Sequence, residues 1–252
     1  MMTLLPQHGF VQPAILVFVS YGLRSLVFAA IAFFSVDPSR HPRIGYNSLE
    51  RPANFSLPLN IRRELKQALL TLTAFTLIVA VLFGYGLIGS SRLYYQISDH
   101  PLWWFWVSIP VMILLHDTFF YWLHRAMHSR LLFELCHRPH HESLFPTSFT
   151  AYSFGWLEAF AEGISVVIIV FIIPVHLLAF MIFQTIAIAY NVYGHCGRDF
   201  LPPSARHHWL GRWFNTSSLH AHHHRYGHGN YSFYFTFWDR MMGTLRPAPH
   251  SL

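Results

Sequence analysis

Apolar residues in this chain fall in long runs rather than in helical stripes or strand-like alternation, and such runs predict helices that span a bilayer. Four runs stand out: Ala14–Phe34, Gln67–Ile88, Pro101–Leu123 and Phe160–Gly194. The last is 35 residues long and would extend about 52 Å as one helix at ~1.5 Å per residue, well beyond a hydrocarbon core of ~30 Å. Pro174 lies in its middle and lacks the donor that a continuous helix needs. The run therefore reads as a hairpin, inward before Pro174 and back after it, with a first arm so short that it crosses only in part. Arg24 interrupts the first run. A side chain snorkelling to the surface, or a misplaced boundary, is favoured over a functional arginine there. The N-terminus has neither a basic leading segment nor a convincing cleavage site, so no signal peptide is expected.

Charge orients these spans. Of the 17 basic residues, 16 are arginine, and 15 fall in the Ser35–Lys66 loop or beyond Leu123 outside the hairpin. Two crossings separate those regions and a hairpin returns to its starting side, so both lie on one face. The positive-inside rule makes that face cytoplasmic. The segment Asp199–Leu252 has no apolar span and reads as a cap on the same side. No linker tract divides the chain, so residues 1–252 are expected to form a single membrane-embedded domain. Composition agrees: 53% of residues are hydrophobic and only 11% charged. The net charge of +6 fits a membrane-facing rim as well as nucleic acid, and no nucleic-acid partner is expected.

Histidine changes the picture. There are 19, against 11 Asp plus Glu, an inventory suited to imidazole-bound metal. Three clusters carry it: His124 with His128; His137, His140 and His141; His220, His223 and His224. The first pair is four apart and shares one helix face just past the third span. The other two repeat the spacing H-x-x-H-H, whose three imidazoles converge on a helix and can serve one metal or bridge two. Two copies by chance are improbable, since roughly 0.1 would be expected at this histidine frequency. Pro139 places the second cluster at a helix end. His222 breaks the repeated spacing and is left out. His8, His41, His100, His176 and His250 read as ordinary structural histidines. Eight clustered imidazoles exceed one tetrahedral zinc and suit two metals.

Other motifs fail. Gly84-Tyr85-Gly86-Leu87-Ile88-Gly89 matches a dinucleotide fingerprint in letters, but it ends a span and opens no βαβ unit. His141-Glu142 begins a zinc-peptidase motif whose second histidine position holds Phe145. Two cysteines, Cys136 and Cys196, build no disulfide framework and are expected to be structural.

At this point the chain resembles the fatty acid hydroxylase and sterol desaturase superfamily over about residues 110–245. The resemblance runs through Asp117, Tyr121, Trp122, His124-Arg125, His128, the His137/His140/His141 cluster and Pro146. It continues through Ala151-Tyr152, Glu158, His195, the His220/His223/His224 cluster, Asn230-Tyr231, Trp238-Asp239 and Gly243-Thr244. It implies an all-α protein with about four transmembrane helices under a cytoplasmic helical cap, and a non-haem di-iron centre that uses dioxygen. It adds His195 as a ninth ligand. Asn191 stands where some relatives have another histidine. The chain departs from the pattern at Gly155-Trp156, where His-Pro is common, and at Ser232, where Gly is common.

The function that follows is oxidation of the hydrocarbon part of a lipid, by hydroxylation or desaturation. Two iron ions would be held by His124, His128, His137, His140, His141, His195, His220, His223 and His224, and zinc can substitute in purified samples. Asp117, Asn191 and Asp239 are candidates for supporting those ligands. Asp117 and Asp239 serve equally well as ion-pair partners of Arg125 and Arg240. The run Trp103-Trp104-Phe105-Trp106 reads as an interfacial belt in preference to a lipid path. No haem motif, iron–sulfur cysteines or dinucleotide fold is evident, so a separate ferredoxin-like or cytochrome-like donor is expected at the arginines of the cap. A non-enzymatic membrane metal carrier and a metal-dependent lipid hydrolase are the alternatives.

Overall fold

The computed structural model describes residues 10–36, 56–200 and 208–246, which are almost wholly helical. Four helices are long and apolar enough to cross a bilayer: α1 (Val11–Ser35), α2 (Leu57–Gly84), α3 (Leu102–Met127) and α7 (Leu177–His195). Between α3 and α7 lie a one-turn α4 (Arg130–Leu132), a π-helical turn (Phe133–His137), α5 (Arg138–His141) and α6 (Trp156–Ile172). After α7 come α8 (Ser217–Tyr226) and α9 (Phe237–Met241). The outward faces of the long helices carry exposed Leu16, Val19, Leu23, Leu69, Leu77, Leu114 and Leu178, which only lipid covers favourably. This is a multi-pass membrane protein.

The hairpin forms as the proline requires. Helix α6 ends at Ile172 and α7 starts at Leu177. At 17 residues, α6 rises about 26 Å and falls a little short of the core thickness. Its tip does not leave backbone groups bare. Leu93–Tyr94 (β1) pairs in parallel with Val175–His176 (β2), Arg92 N–H donates to the Val170 carbonyl at 2.7 Å, and the Trp104 indole donates to the Pro174 carbonyl at 2.9 Å. Irregular backbone survives at that depth because protein partners replace water. Trp103 and Trp106 are exposed beside it, as an interfacial belt requires.

Packing closes a ring: α1 lies on α2, α2 on α6, α6 on α3, α3 on α7 and α7 on α1. Phe105, Ile109 and Met112 of α3 meet Ile169 of α6 and Ala179 and Phe183 of α7 in one apolar core. Ala29 of α1 meets Ile188 and Val192 of α7 in a second. The C-terminal end of α1 and the N-terminal end of α2 lie beside the histidine loops: Phe33 packs on Phe149, and Glu64 accepts from Thr150 Oγ1 at 2.7 Å. Both therefore sit on the same face as the second histidine cluster.

Two expectations need correction. Helix α2 starts at Leu57, ten residues before Gln67. An apolar-run criterion rejects the charged first turns, yet Pro58 suits a helix start, and Glu64 on the inner face is fully buried. Arg24 does not snorkel. It lies inside α1, with Nε donating to the Ser20 carbonyl at 3.0 Å and Nη1 crossing to Thr185 Oγ1 of α7 at 2.8 Å. The Gly84–Gly89 motif closes α2 and enters a single 3-10 turn. His8, His41, His250, Arg40, Arg43, Arg51 and Arg206, and the N-terminal nine residues, lie outside the described residues.

Candidate metal centre

The last turn of α3 presents His124, and His128 caps it. After α4 the π-helical turn ends on His137, and α5 carries His140 and His141, with Pro139 in its first turn. A π-turn inserts a residue and re-aims the side chains that follow. Helix α8 starts cleanly because Thr216 Oγ1 accepts from Leu219 N–H, and it stops at Gly227, whose φ is 68°. On α8, His220, His223 and His224 are buried on one face, whereas Arg225 and Tyr226 are exposed on the other.

All nine candidate ligands come together, in two groups. His124, His128, His137, His141 and His223 form one, and His140, His195, His220 and His224 the other, with the ligand atoms of each group within 4.8 Å of one another. The repeated H-x-x-H-H spacing is used crosswise. In the second cluster His137 and His141 join the first group and His140 the second. In the third cluster His220 and His224 join the second group and His223 the first. His195, invisible to spacing, is the hub of its group, its Nε2 lying 3.0, 3.2 and 3.4 Å from Nε2 of His220, His224 and His140. His222 stays outside both groups and stacks on Tyr226.

The hydrogen bonds fix which nitrogen carries a proton. His124, His140, His195 and His223 place Nδ1 on the carbonyls of Tyr231, Ser153, Asn191 and Gly229, at 2.8, 3.1, 2.8 and 2.7 Å. His137 places Nδ1 2.7 Å from Glu158 Oε1. A carbonyl can only accept, so each Nδ1 of the first four carries hydrogen, and a neutral ring then offers a bare Nε2. His140 and His195 thus face each other with two lone pairs at 3.4 Å, and His124 faces His137 Nε2 at 3.1 Å. His128 Nε2 and His224 Nδ1 are buried with no hydrogen-bond partner at all. Lone pairs converging in a dry interior repel unless cations sit between them. The donor set fits two metal ions.

Electrostatics keeps the rings neutral. Burial, and then neighbouring histidines, push His128 down to about 2. Burial and His124 push His141 down to about 3. Burial followed by other histidines holds His137, His140, His220, His223 and His224 well below the usual imidazole range. Neutral imidazole is the form that binds metal.

The supporting groups differ from those expected. Asp117 reaches no ligand. Its Oδ1 accepts from the backbone N–H groups of Phe233, Tyr234 and Phe235 at 3.2, 2.6 and 3.2 Å. Asp239 accepts from Tyr231 and Ser232 N–H, both at 2.9 Å, and so supports His124 only by fixing the segment that holds the Tyr231 carbonyl. Neither forms the alternative ion pair: Arg125 donates to Tyr121 Oη, and Arg240 donates to Thr236 and to the Arg212 carbonyl. Asn191 acts through its carbonyl on His195, while its amide donates to the Ala151 carbonyl. Glu158 is the partner that sequence reasoning missed; its place one helical start after the second cluster was the available signal. Glu64 was missed too. It gathers the hydroxyls of Ser143, Thr147 and Thr150 at 2.9, 2.5 and 2.7 Å and so pins the loop that delivers the Ser153 carbonyl. Cys136 and Cys196 are buried and belong to neither group.

Beneath the histidines, the helix ring lines a partly open apolar cavity of about 240 Å³ with residues from all five helices, from Leu177 and Phe180 up to Phe120 and Phe233. Phe120, Phe154, Glu162, Asn191 and Phe233 border both this cavity and the space against His124, His137, His140 and His195. The tryptophan run does not line it.

Fold and site define a class: a helical membrane protein with a paired all-histidine metal site over an apolar chamber. Residues 109–244 match the fatty acid hydroxylase family, and the chain belongs to that family. It is 31% identical over 188 residues to a human lathosterol oxidase, covering 74% of this chain and 61% of that protein. It is 30% identical to the mouse lathosterol oxidase over 76% of this chain and 65% of that one. A Delta(7)-sterol 5(6)-desaturase of Leptosphaeria maculans is 28% identical over 74% of this chain and 50% of its own length. The chain thus spans under two thirds of these relatives. No solved structure matches it.

Proposed function

We propose that this chain is an oxygen-dependent di-iron oxidoreductase that hydroxylates or desaturates the hydrocarbon part of a lipid, with a sterol-like molecule favoured by the names of its relatives. One observation carries the reading: nine clustered imidazoles, split five and four, of which His124, His137, His140, His195 and His220 line a space that adjoins an apolar cavity between the helices. Aliphatic C–H bonds resist acid–base chemistry, and a bound pair of irons supplies the oxidising power toward them that no side chain has. His124, His128, His137, His141 and His223 would hold one ion, and His140, His195, His220 and His224 the other. Glu158 on His137 and the backbone carbonyls on His124, His140, His195 and His223 lock the donor geometry before substrate arrives. The walls exclude water, and Phe120, Phe154 and Phe233 deliver the hydrocarbon to the histidines. A carrier would need its metal to exit; enclosure within buried imidazoles argues against that reading.

Each turnover consumes dioxygen, two electrons and two protons. Hydroxylation releases one water, and desaturation releases two. The electrons come from a separate ferredoxin-like or cytochrome-like donor at the cap, where Arg212 and Arg240 flank Trp213 at 5.2 and 5.3 Å from its ring centroid. The catalytic face and the C-terminus are placed in the cytoplasm by the distribution of arginine. The chain acts as one membrane-embedded unit. Mass spectrometry of lipid extracts from cells with and without the protein tests the activity: a lipid that gains one oxygen or loses two hydrogens is expected, and its absence in iron-replete cells with a donor refutes it. Elemental analysis should find two irons per chain, and full activity of an iron-free, zinc-loaded sample ends the di-iron reading.

A further inference from the structure

The inner end of the cavity holds a carboxyl that the chemistry above does not use. Glu162 of α6 is only 6% exposed, and it borders both the apolar cavity and the space under the histidines. Among the described residues its carboxyl makes no hydrogen bond and no ion pair. The other buried carboxyls are all engaged: Glu158 by His137, Glu64 by three hydroxyls, Asp117 and Asp239 by backbone N–H groups. An unpaired carboxyl at this depth is costly and persists where a ligand completes it. Its polar neighbours are committed elsewhere, since the Asn191 amide donates to the Ala151 carbonyl and the Tyr190 hydroxyl to the carbonyls of Asn215 and Tyr234. Phe120, Phe154 and Phe233 offer only rings.

We propose that Glu162 receives a hydroxyl group of the lipid, so that the ligand is a hydroxylated lipid bound with its hydroxyl end at the histidines. This rests on the reading of the cavity as the lipid site. A hydroxyl can both donate to and accept from a carboxyl. A carboxylate or phosphate head would instead have to leave water for a largely apolar space in which no arginine or lysine is placed beside Glu162 among the described residues. The apolar remainder then lies along α7 from Asn191 toward Leu177, 14 positions away, a depth of about 21 Å at ~1.5 Å per residue. The carbon that is oxidised stands a few bonds from the hydroxyl-bearing carbon, because Glu162, His124 and His195 line the same space.

The test is equilibrium binding of radiolabelled cholestanol and of cholestane, which differ by the hydroxyl alone, to the full chain in detergent. The intact protein should prefer cholestanol by about 10-fold, the worth of one buried hydrogen bond to a charged or carboxyl group. Glu162→Leu should bring the ratio to about one by weakening cholestanol only, and Glu162→Gln, which keeps the shape and a hydrogen bond, should retain at least a third of it. Metal content measured on the same samples should match in all three proteins. No preference in the intact protein, or an intact preference in Glu162→Leu, overturns the proposal. Binding needs neither iron turnover nor an electron donor. Loss of oxidase activity and loss of hydroxyl preference are therefore separate results.

Discussion

The two ends of the helix ring treat buried polar groups in opposite ways. At the histidine end nearly every polar atom has a fixed partner: His124, His140, His195 and His223 are held by carbonyls and His137 by Glu158. Among the described residues, the buried atoms left over there include histidine nitrogens, Glu158 Oε2 and Ser232 Oγ. Along the cavity, polar groups are few and differently placed. Among the described residues the Glu162 carboxyl has no hydrogen-bond partner, and Arg24 reaches neutral oxygens of Ser20, Met181 and Thr185. The first region is pre-organised for ions of fixed geometry, and the second is built to be completed by a ligand. Rigid and receptive volumes share the wall formed by Phe120, Phe154 and Phe233.

Removing a ligand attacks the rigid end most directly. His140→Ala or His223→Ala should abolish turnover and lower bound metal from two ions per chain to one or fewer, by elemental analysis. His176→Ala should retain most of both, because His176 caps α7 by accepting from Leu178 N–H, donates to the Tyr95 carbonyl and belongs to neither histidine group. Equal tolerance at all three positions would dissolve the distinction between the regions. The supporting layer comes next. Glu158→Ala should weaken metal binding by about 10–100-fold, read by competition with a chelator, whereas Glu162→Ala should leave it unchanged.

Acid should separate the regions by a smaller amount. The buried rings outside the spans have depressed proton affinity in the fold, His141 at about 3, and an ordinary value near 6.5 when unfolded. The unfolded chain then binds more protons, so stability falls as pH drops below about 6.5 and the loss from His141 is complete near 3. Denaturation of metal-free protein in detergent should show this slope, and replacing His141 with Gln should flatten it. A pH-independent stability between 7 and 4 would refute the neutral-imidazole account. The smallest effect concerns the seam. A Cβ on Gly155 would stand 2.5 Å from the Cys136 carbonyl, so Gly155→Ala should cost about 1–3 kcal/mol. Its signature is displacement of the π-turn, seen as weakened metal binding without a change in lipid binding.

Much of this was legible before any fold was known. Pro174 and the length of Phe160–Gly194 announced the hairpin, and arginine placement put the end of α1 and the start of α2 on the face of the histidine loops. Clustered imidazoles nominated eight ligands, and family resemblance added His195. The start of α2 was hidden because its first turns carry Arg62, Arg63, Glu64 and Lys66, charges that an apolar-run rule reads as loop. The support of the site was hidden for another reason. Most of its acceptors are backbone carbonyls, of Tyr231, Ser153, Asn191 and Gly229, and every residue has one.

The sequence by itself determined the spans, their order and eight of the nine candidate ligand side chains, since these depend on local hydropathy and helical spacing. Only the tertiary structure decided the crosswise sharing of the two H-x-x-H-H clusters, the pairing of His137 with Glu158 and the inward turn of Arg24. It alone decided, too, that Glu162 stands unpartnered at the junction. These follow from contacts between distant segments, such as Arg24 with Thr185, 161 positions apart, which no local period encodes. Neighbours on one helix face can be counted from spacing, but which face meets which is settled when the ring closes.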